Sequence, residues 1–424
     1  VSDTVLQQVQ AFLSAGKLAE AEAALQQAMR RDRSPLLDHA MAVTLGRMNG
    51  PGSRERLARA AFFAERAWEA NLASPQPGQA TLGMTYGKLL AAVGDHARAI
   101  PVFRRVLDKR PDAPGAGTAL AASLAAKNQL TEAAAILTGL HAKTGGDDPI
   151  VAPALAATLL WMGEVEQAWN LIREAADRQV DDPLIATSLA NTACYVPGLT
   201  REEEWDAQRR YGAIFDRSVQ ITSPPFAPRD PSRRPLKVGF LSPDFRAHSV
   251  ASFLFPLLTA LDPAEIRPYL YFTGTPDDET ARFQKLACVF RDVAHLSDKD
   301  IAETVRAEEI DVLIDLSGHT RGHRLPVFLF RAAPVQLAYL GYPSITGLSQ
   351  MDGRLVDAIS DPTGEENTVT SEKLIRLDAP FLCYEPPPMP EAVAKARAGP
   401  RPAGTPFTFG SFNAVSKLNP GVLA

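Results

Sequence analysis

Leu236-Lys-Val-Gly-Phe-Leu-Ser-Pro-Asp-Phe-Arg-Ala-His-Ser-Val-Ala251 is the stretch that decides the fold of the second half of the chain. Its apolar run, Val238 to Leu241, reads as a buried strand. The strand breaks into a polar turn carrying Asp244, Arg246 and His248, and an amphipathic helix is predicted from about Ser249 to Leu261. A strand that opens an α/β unit and delivers charged groups at its carboxyl end is where open parallel sheets place their ligands. His248 falls just before the helix, where a side chain can point into the crevice and backbone N–H groups can face an anion.

Working outward, the same alternation continues. Short apolar runs at Lys237–Leu241, Tyr269–Phe272, Val312–Leu316, Val335–Leu340, Leu355–Ile359 and Thr408–Phe412 are predicted strands, most of them separated by helical segments. That order predicts a doubly wound parallel sheet covered on both faces. Five prolines between Pro224 and Pro235 mark a linker on one side, and a second proline-rich stretch runs from Pro386 to Pro406. The expected division is a helical solenoid over 1–215, a linker over 216–235 and an α/β lobe over 236–385. A second linker over 386–406 then leads to the start of another lobe over 407–424. One strand and a turn cannot bury themselves as a domain, so the sequence is expected to stop inside that second lobe.

Before the linker the period is different. Gly94, Ala99, Phe103, Val106 and Pro111 form a pattern that recurs 34 positions on at Asn128, Ala133, Leu137 and Leu140. Gly163, Ala168, Ile172 and Ala175 repeat it, Gly16, Ala21, Leu25 and Ala28 give a looser copy, and a poorer unit surrounds Ala60, Phe63 and Ala67. A period of about 34 residues with small residues at close-packing offsets is the tetratricopeptide signature. At least five helical pairs are predicted, stacked as a superhelix. Thr200 and Glu203 form a capping box at the start of the last helix.

The order strand, Ser-Pro-Asp-Phe, two residues, His-Ser resembles the opening of the catalytic region of the nucleocytoplasmic peptide O-linked N-acetylglucosamine transferases. The tetratricopeptide half and the final Phe-Asn-x-x-x-Lys run agree with that resemblance. It implies a two-lobed (GT-B type) glycosyltransferase with UDP-N-acetylglucosamine as donor. The expected reaction is inverting, metal-independent transfer to Ser or Thr hydroxyls of an acceptor protein, which could lie along the solenoid. An asparagine ladder lines the solenoid groove in the animal members. Here Asn71, Asn128, Asn170 and Asn191 do not recur at one repeat position, which argues against ladder-type peptide binding. A UDP-glucose-dependent asparagine N-glycosyltransferase, and a non-catalytic peptide-binding scaffold, are the alternatives.

Within the resemblance, His248 borders the acceptor hydroxyl, as general base or in a capping or positioning role. Asp244 orients the turn. Asp315-Leu-Ser-Gly-His-Thr320 ends a second strand, so Ser317, His319 and Thr320 are expected to line the same crevice. Gly341-Tyr-Pro-Ser-Ile-Thr-Gly347 ends a third, where Gly341, Tyr342 and Pro343 match the family's Gly-Tyr-Pro and Ser344 and Ile345 depart from its usual run. The backbone amides of this turn could face phosphate or sugar oxygens. Lys417, four residues after Asn413, matches the lysine that approaches the donor diphosphate, where a fixed ammonium neutralises the departing group.

The remaining features exclude other classes. Hydrophobic content of 46% and charged content of 22% are those of a globular protein, and the net charge of −5 gives no reason to expect nucleic acid. Cys194, Cys288 and Cys383 lie far apart without metal-ligand spacing, as expected of a reducing compartment. No apolar run is long enough to span a membrane and the first residues lack signal-peptide character, so a cytoplasmic location is expected. Asp298 and Asp300 precede an amphipathic helix and read as N-terminal capping groups rather than metal ligands. No cofactor is expected beyond the donor itself.

Overall fold

The computed structural model describes residues 2–48, 53–74, 78–111, 114–218, 232–286, 288–364, 372–386 and 410–418, with a few isolated positions in the linkers. Among the described residues twelve helices come first. They pair as α1 (Ser2–Ser14) with α2 (Leu18–Met29), α3 (Pro35–Arg47) with α4 (Ser53–Ala73), and α5 (Gln79–Ala92) with α6 (His96–Lys109). Next are α7 (Pro114–Ala126) with α8 (Leu130–Lys143), α9 (Val151–Met162) with α10 (Val165–Arg178), and α11 (Pro183–Ala193) with α12 (Arg201–Ser218).

The repeat pattern has a backbone cause. Gly16, Gly94, Asn128 and Gly163 all have positive φ, between 58° and 85°. Each ends the first helix of its pair in the left-handed conformation that glycine and asparagine adopt at least cost. The apolar offsets then fill the seam: Ala21, Leu25, Ala99, Phe103, Ala133, Ala168, Ile172 and Ala175 are completely buried, and Leu137 nearly so. Polar caps start several helices. Asp182 accepts from the N–H of both Leu184 and Ile185 at 2.9 Å. Thr200 and Glu203 cap each other's backbone N–H reciprocally, at 2.8 and 3.2 Å, as the sequence predicts.

Among the described residues the second half forms one seven-stranded sheet. Its elements are β1 (Leu236–Ser242), α13 (Ser249–Ala260), β2 (Ile266–Phe272), α14 (Asp278–Gln284), β3 (Val289–Asp292) and α15 (Asp298–Ala307). There follow β4 (Val312–Asp315), α16 (Pro326–Leu329), β5 (Val335–Ala338), β6 (Gly353–Asp357) and β7 (Lys373–Leu377). The order is β3-β2-β1-β4-β5-β6-β7, with every neighbouring pair parallel. The chain winds outward from β1 to β3, then returns to the other side of β1 and winds outward to β7. The switch point therefore lies between β1 and β4, paired with Leu241 opposite Asp315.

Alternating side chains divide the core. Phe240, Leu270, Phe272 and Ile314 pack under α13 with Phe245 and Leu254. On the other face, Leu241, Tyr271 and Leu313 pack with Ile301 and Val305 of α15 and Phe328 of α16. Ala186 of α11 and Tyr211 and Ile214 of α12 belong to this second cluster. The last helical pair is thus a covering layer of the sheet, and through it solenoid and lobe share a core cluster.

Three strand expectations need correction. The edge strands β3 and β7 are present although the sequence pattern does not single them out. The strand expected at Leu355–Ile359 begins and ends two residues earlier, leaving Ile359 84% exposed. The expected strand at Thr408–Phe412 lies partly outside the described residues, and positions 410–412 are not strand. At α15 the N-cap is Ser297, whose hydroxyl accepts from the Asp300 N–H at 3.2 Å; Asp298 and Asp300 sit in the first turn.

Candidate active-site cleft

A cleft of ≈ 1150 Å³ opens at the carboxyl ends of β1 to β4, between the lobe and the solenoid. Its lobe wall comes from four successive strand ends: Pro243 to His248 after β1, Thr273 to Asp277 after β2, Asp292 at the end of β3, and Thr320 to Gly322 after β4. Its solenoid wall includes Lys88 on α5, His96 on α6, Ser123 on α7 and Trp161 on α9.

The β1–α13 turn is built from internal polar contacts. Asp244 is buried at 3% exposure; its N–H donates to the Ser242 hydroxyl at 3.0 Å. One of its carboxylate oxygens accepts from Arg246 at 3.2 Å and the other lies 3.6 Å from His248 Nδ1. His248 is extended, with φ −153° and ψ 156°, and caps α13: its Nδ1 accepts from the Val250 N–H at 3.3 Å. From the far side, Asp277 accepts from the Ala247 N–H at 2.8 Å and the Thr280 N–H at 3.0 Å. Burial works against its charge, but these donors outweigh burial and hold the carboxyl below its ordinary range.

The ring of His248 can exist in two neutral tautomers. With Nδ1 accepting from Val250, the neutral ring carries its proton on Nε2 and serves as a helix cap. With the proton on Nδ1 and directed at Asp244, the Nε2 lone pair is open to accept a proton from a bound hydroxyl. Capping and proton acceptance at Nε2 thus call for different tautomers of one side chain, and the Asp244 carboxylate lies 3.6 Å from its Nδ1.

The β4 turn divides its residues between two environments. Thr320 faces the cleft, its hydroxyl donating to the Ser317 carbonyl at 2.8 Å. Ser317, expected in the crevice, does not line it: it is 2% exposed, and among the described residues its hydroxyl has no hydrogen-bond partner. His319 does not line the crevice. It is 1% exposed, donates from Nε2 to the Thr346 carbonyl at 2.8 Å, and stands edge-on to Tyr211 of α12 with ring centroids 4.8 Å apart. Burial, with the nearby His323, pushes its pKa down to about 3. Asp315 beneath the turn accepts from the N–H of Gly318 at 2.6 Å and Ser317 at 3.2 Å. Complete burial nonetheless raises it to about 7.

The third turn is also turned away from the cleft. Tyr342 is buried against the solenoid: its hydroxyl donates to the Ala190 carbonyl at 2.8 Å and accepts from Gln208 of α12 at 3.1 Å. Gly341 permits this, because a Cβ there would meet the Leu316 carbonyl. The Pro343 carbonyl accepts from Arg354 at 2.7 Å. The amides of Thr346 and Gly347 donate to buried Glu372 at 2.7 and 2.9 Å, so they are not available to phosphate or sugar oxygens. His319, Tyr342 and their turns are the joint between solenoid and lobe, a role local sequence could not reveal.

Asn413 and Lys417 are exposed. Lys417 ends a 3₁₀ turn, Val415–Lys417, that packs against α9 near Gly163, two residues from Trp161 on the cleft wall. Neither Lys417 nor Asn413 lines the cleft itself. Arg321, Asp277, Asp292, Lys88, His96 and Trp161 are cleft residues that the sequence reading missed. Arg321 directly follows the Thr320 that it singled out. Among the described residues no group of three His, Cys, Asp or Glu is arranged to hold a metal ion, and no helix is long and apolar enough to cross a membrane.

A tetratricopeptide solenoid docked on a parallel lobe, with a polar cleft at the switch point, defines the class. Residues 206–390 match the model of Glycosyl transferase family 41, and residues 90–157 match that of a tetratricopeptide repeat. The family 41 match thus covers the lobe and most of α12. A probable UDP-N-acetylglucosamine–peptide N-acetylglucosaminyltransferase SPINDLY of Petunia hybrida is 34% identical over 236 residues, 54% of this chain and 25% of the relative. Its Arabidopsis thaliana counterpart is 38% identical over 202 residues, 46% of this chain and 21% of the relative. A solved mutant of the Thermobaculum terrenum O-GlcNAc transferase superposes with a TM-score of 0.71 at 28% identity, covering 81% of this chain and 64% of that one. The chain therefore spans about a quarter of the length of these plant relatives.

Proposed function

We propose that this chain forms the acceptor side of a UDP-sugar-dependent protein glycosyltransferase. The reaction is inverting, metal-independent transfer of N-acetylglucosamine from UDP-N-acetylglucosamine to Ser or Thr hydroxyls. The observation that carries this reading is the His248–Asp244 pair at the mouth of a solenoid–lobe cleft, in a lobe matching family 41. The names of the plant and Thermobaculum relatives agree with it.

In this mechanism the acceptor oxygen attacks the anomeric carbon and the bond from that carbon to the diphosphate breaks, its electron pair leaving with UDP. The hydroxyl proton passes to Nε2 of His248, with Asp244 stabilising the ring proton on Nδ1. Thr320 offers a hydroxyl beside the acceptor, and Lys417, with Asn413, is assigned to the donor diphosphate. A side-chain ammonium in that role supplies the charge that a metal supplies elsewhere. The three cysteines are free thiols, which supports a reducing, cytoplasmic setting, and the reading involves neither nucleic acid nor a membrane.

The test is transfer of tritiated N-acetylglucosamine from its UDP donor onto protein by the gene product that carries this sequence, with UDP-glucose in parallel. Label released by β-elimination supports hydroxyl transfer. Label that resists it and comes only from UDP-glucose would replace this reading by asparagine glycosylation, and no label from either donor would favour a scaffold.

A further inference from the structure

His248 projects from a stretch that the core does not hold. Phe245 is completely buried and Val250 is 5% exposed, but between them Ala247, His248 and Ser249 are all exposed. Packing therefore fixes the two ends of this stretch and leaves its middle to hydrogen bonds. The position of that middle matters on a small scale. His248 Nδ1 stands 3.3 Å from a donor, the Val250 N–H, and 3.6 Å from an acceptor oxygen of Asp244. Both distances are at the long limit of hydrogen bonding, so a movement of about half an ångström decides which of the two the ring meets.

The loop between β2 and α14 braces this stretch. Its start is tied to β1 by the Thr273 N–H, which donates to the Ser242 carbonyl at 3.1 Å. Gly274 then lies so close to the β1 turn that a Cβ there would meet the Pro243 carbonyl. The loop ends at Asp277, whose two carboxylate oxygens have separate tasks. Oδ1 accepts from the Thr280 N–H at 3.0 Å and from its hydroxyl at 3.2 Å, and the Asp277 N–H donates back to that hydroxyl oxygen at 3.1 Å. That oxygen alone completes the capping box of α14. Oδ2 is not needed for the cap. It accepts from the Ala247 N–H at 2.8 Å, the shortest of these bonds, 30 positions away in sequence and one residue before His248. Capping a helix does not require an oxygen that reaches across to the turn of the neighbouring strand.

We propose that Asp277 is a positioning residue for the transfer reaction: through Oδ2 and the Ala247 amide it fixes the backbone from which His248 reaches the acceptor hydroxyl. The inference rests on the base role given to His248 above, and the ring is also read directly so that the two can fail separately. The test uses three variants of the gene product that carries this sequence. Asp277→Ser keeps an N-cap oxygen but is too short to reach Ala247 as well. Gly274→Ala pushes the loop off Pro243 with the Asp277 carboxylate intact. Thr280→Ala breaks the capping box and spares the Ala247 bond, and is the structural control. Each is followed by transfer kinetics, by its urea midpoint and by the ¹⁵N shifts of the His248 ring, assigned by their loss in His248→Gln. Asp277→Ser and Gly274→Ala should each lower kcat about tenfold or more, as small misplacements of a reacting group do, with KM for donor and acceptor within about twofold. Their Nδ1 and Nε2 signals should move toward those of a free imidazole in rapid tautomer exchange. Thr280→Ala should lower the urea midpoint and leave kcat and the ring signals as in the wild type. The proposal is overturned if kcat simply follows the urea midpoint across the three variants, or if the ring signals of Asp277→Ser match the wild type. A protein that transfers no sugar, but whose ring signals respond as described, would sink the enzymatic reading and leave Asp277 as the residue that positions His248.

Discussion

Gly212→Ala sets two forces against each other. Gly212 lies inside α12, where helix propensity alone makes alanine better by roughly 1 kcal/mol. A Cβ there, however, would stand 2.7 Å from the carbonyl carbon of Gly347 and closer still to its oxygen. Carbon pairs settle near 3.5–4.0 Å, so α12 and the lobe must separate by about 1 Å. The turn cannot yield easily from its own side, since a Cβ on Gly347 would sit 2.5 Å from the Gln208 carbonyl carbon. Separation stretches three bonds across the joint: Tyr342 to Ala190, Gln208 to Tyr342, and Arg201 to Asp361 at 3.0 Å. At a net of about 1 kcal/mol each, their loss costs about 3 kcal/mol, which outweighs the propensity gain. The control is Gly139→Ala in α8, where the added Cβ meets nothing within 4 Å. Urea denaturation should show Gly139→Ala neutral or stabilised and Gly212→Ala destabilised by about 2 kcal/mol net. Amide exchange should rise selectively in α12 and the 341–348 turn. If Gly212→Ala stabilises as much as the control, solenoid and lobe are not held at this contact.

Other outcomes follow from the same contacts. His248→Ala removes the α13 cap and the candidate base, so transfer should fall by roughly 10²–10⁴-fold while unfolding free energy falls by only about 1 kcal/mol; calorimetry should show UDP affinity nearly unchanged. Lys417→Ala should instead weaken UDP binding and lower turnover about a hundredfold, and the reverse division between these two variants would reverse their assignments. EDTA should leave transfer unchanged, and activity lost to EDTA and restored by Mg²⁺ or Mn²⁺ would contradict the ammonium role given to Lys417. Burial, with nearby Arg324, depresses His323 to about 4, so the unfolded chain takes up a proton through 6.5 while the folded chain does not. Its contribution is full above 6.5 and is lost as pH falls toward 4. His323→Gln should therefore flatten the dependence of the urea midpoint on pH across that window, and parallel slopes would show that the ring is not held neutral.

Much of the fold was legible because its causes are local. Gly94, Asn128 and Gly163 recur because each helical pair needs one left-handed residue at its bend, and Phe103 or Leu137 recurs because each groove needs filling. The central strands announced themselves by burial on both faces. The edge strands did not: Val289-Phe-Arg-Asp is short and ends in charge, and Lys373-Leu-Ile-Arg-Leu is half exposed along its length. An edge strand makes fewer demands on sequence, because only one neighbour and partial cover constrain it.

The site was legible on one wall only, and the reason is geometric. Strand-end logic correctly brings the turns after β1 and β4 to one crevice, but it says nothing of how consecutive side chains in a turn are shared out. Thr320 looks into the cleft, while His319 beside it looks into α12, because a helix from the other half of the chain occupies that face. The same docking turns Lys88, His96 and Trp161 from ordinary surface positions of a repeat into cleft residues. Repeat periodicity encodes how helices pack on each other, not what their outer faces meet. What they meet is set by the approach of Gly212 to Gly347 and by the Tyr342 hydrogen bonds. A change at that joint, remote from His248, should therefore alter the solenoid wall's distance from the β1 turn. It would move Lys88 relative to Arg321 while leaving the Asp244–His248 pair, held within one turn of the lobe, as it is.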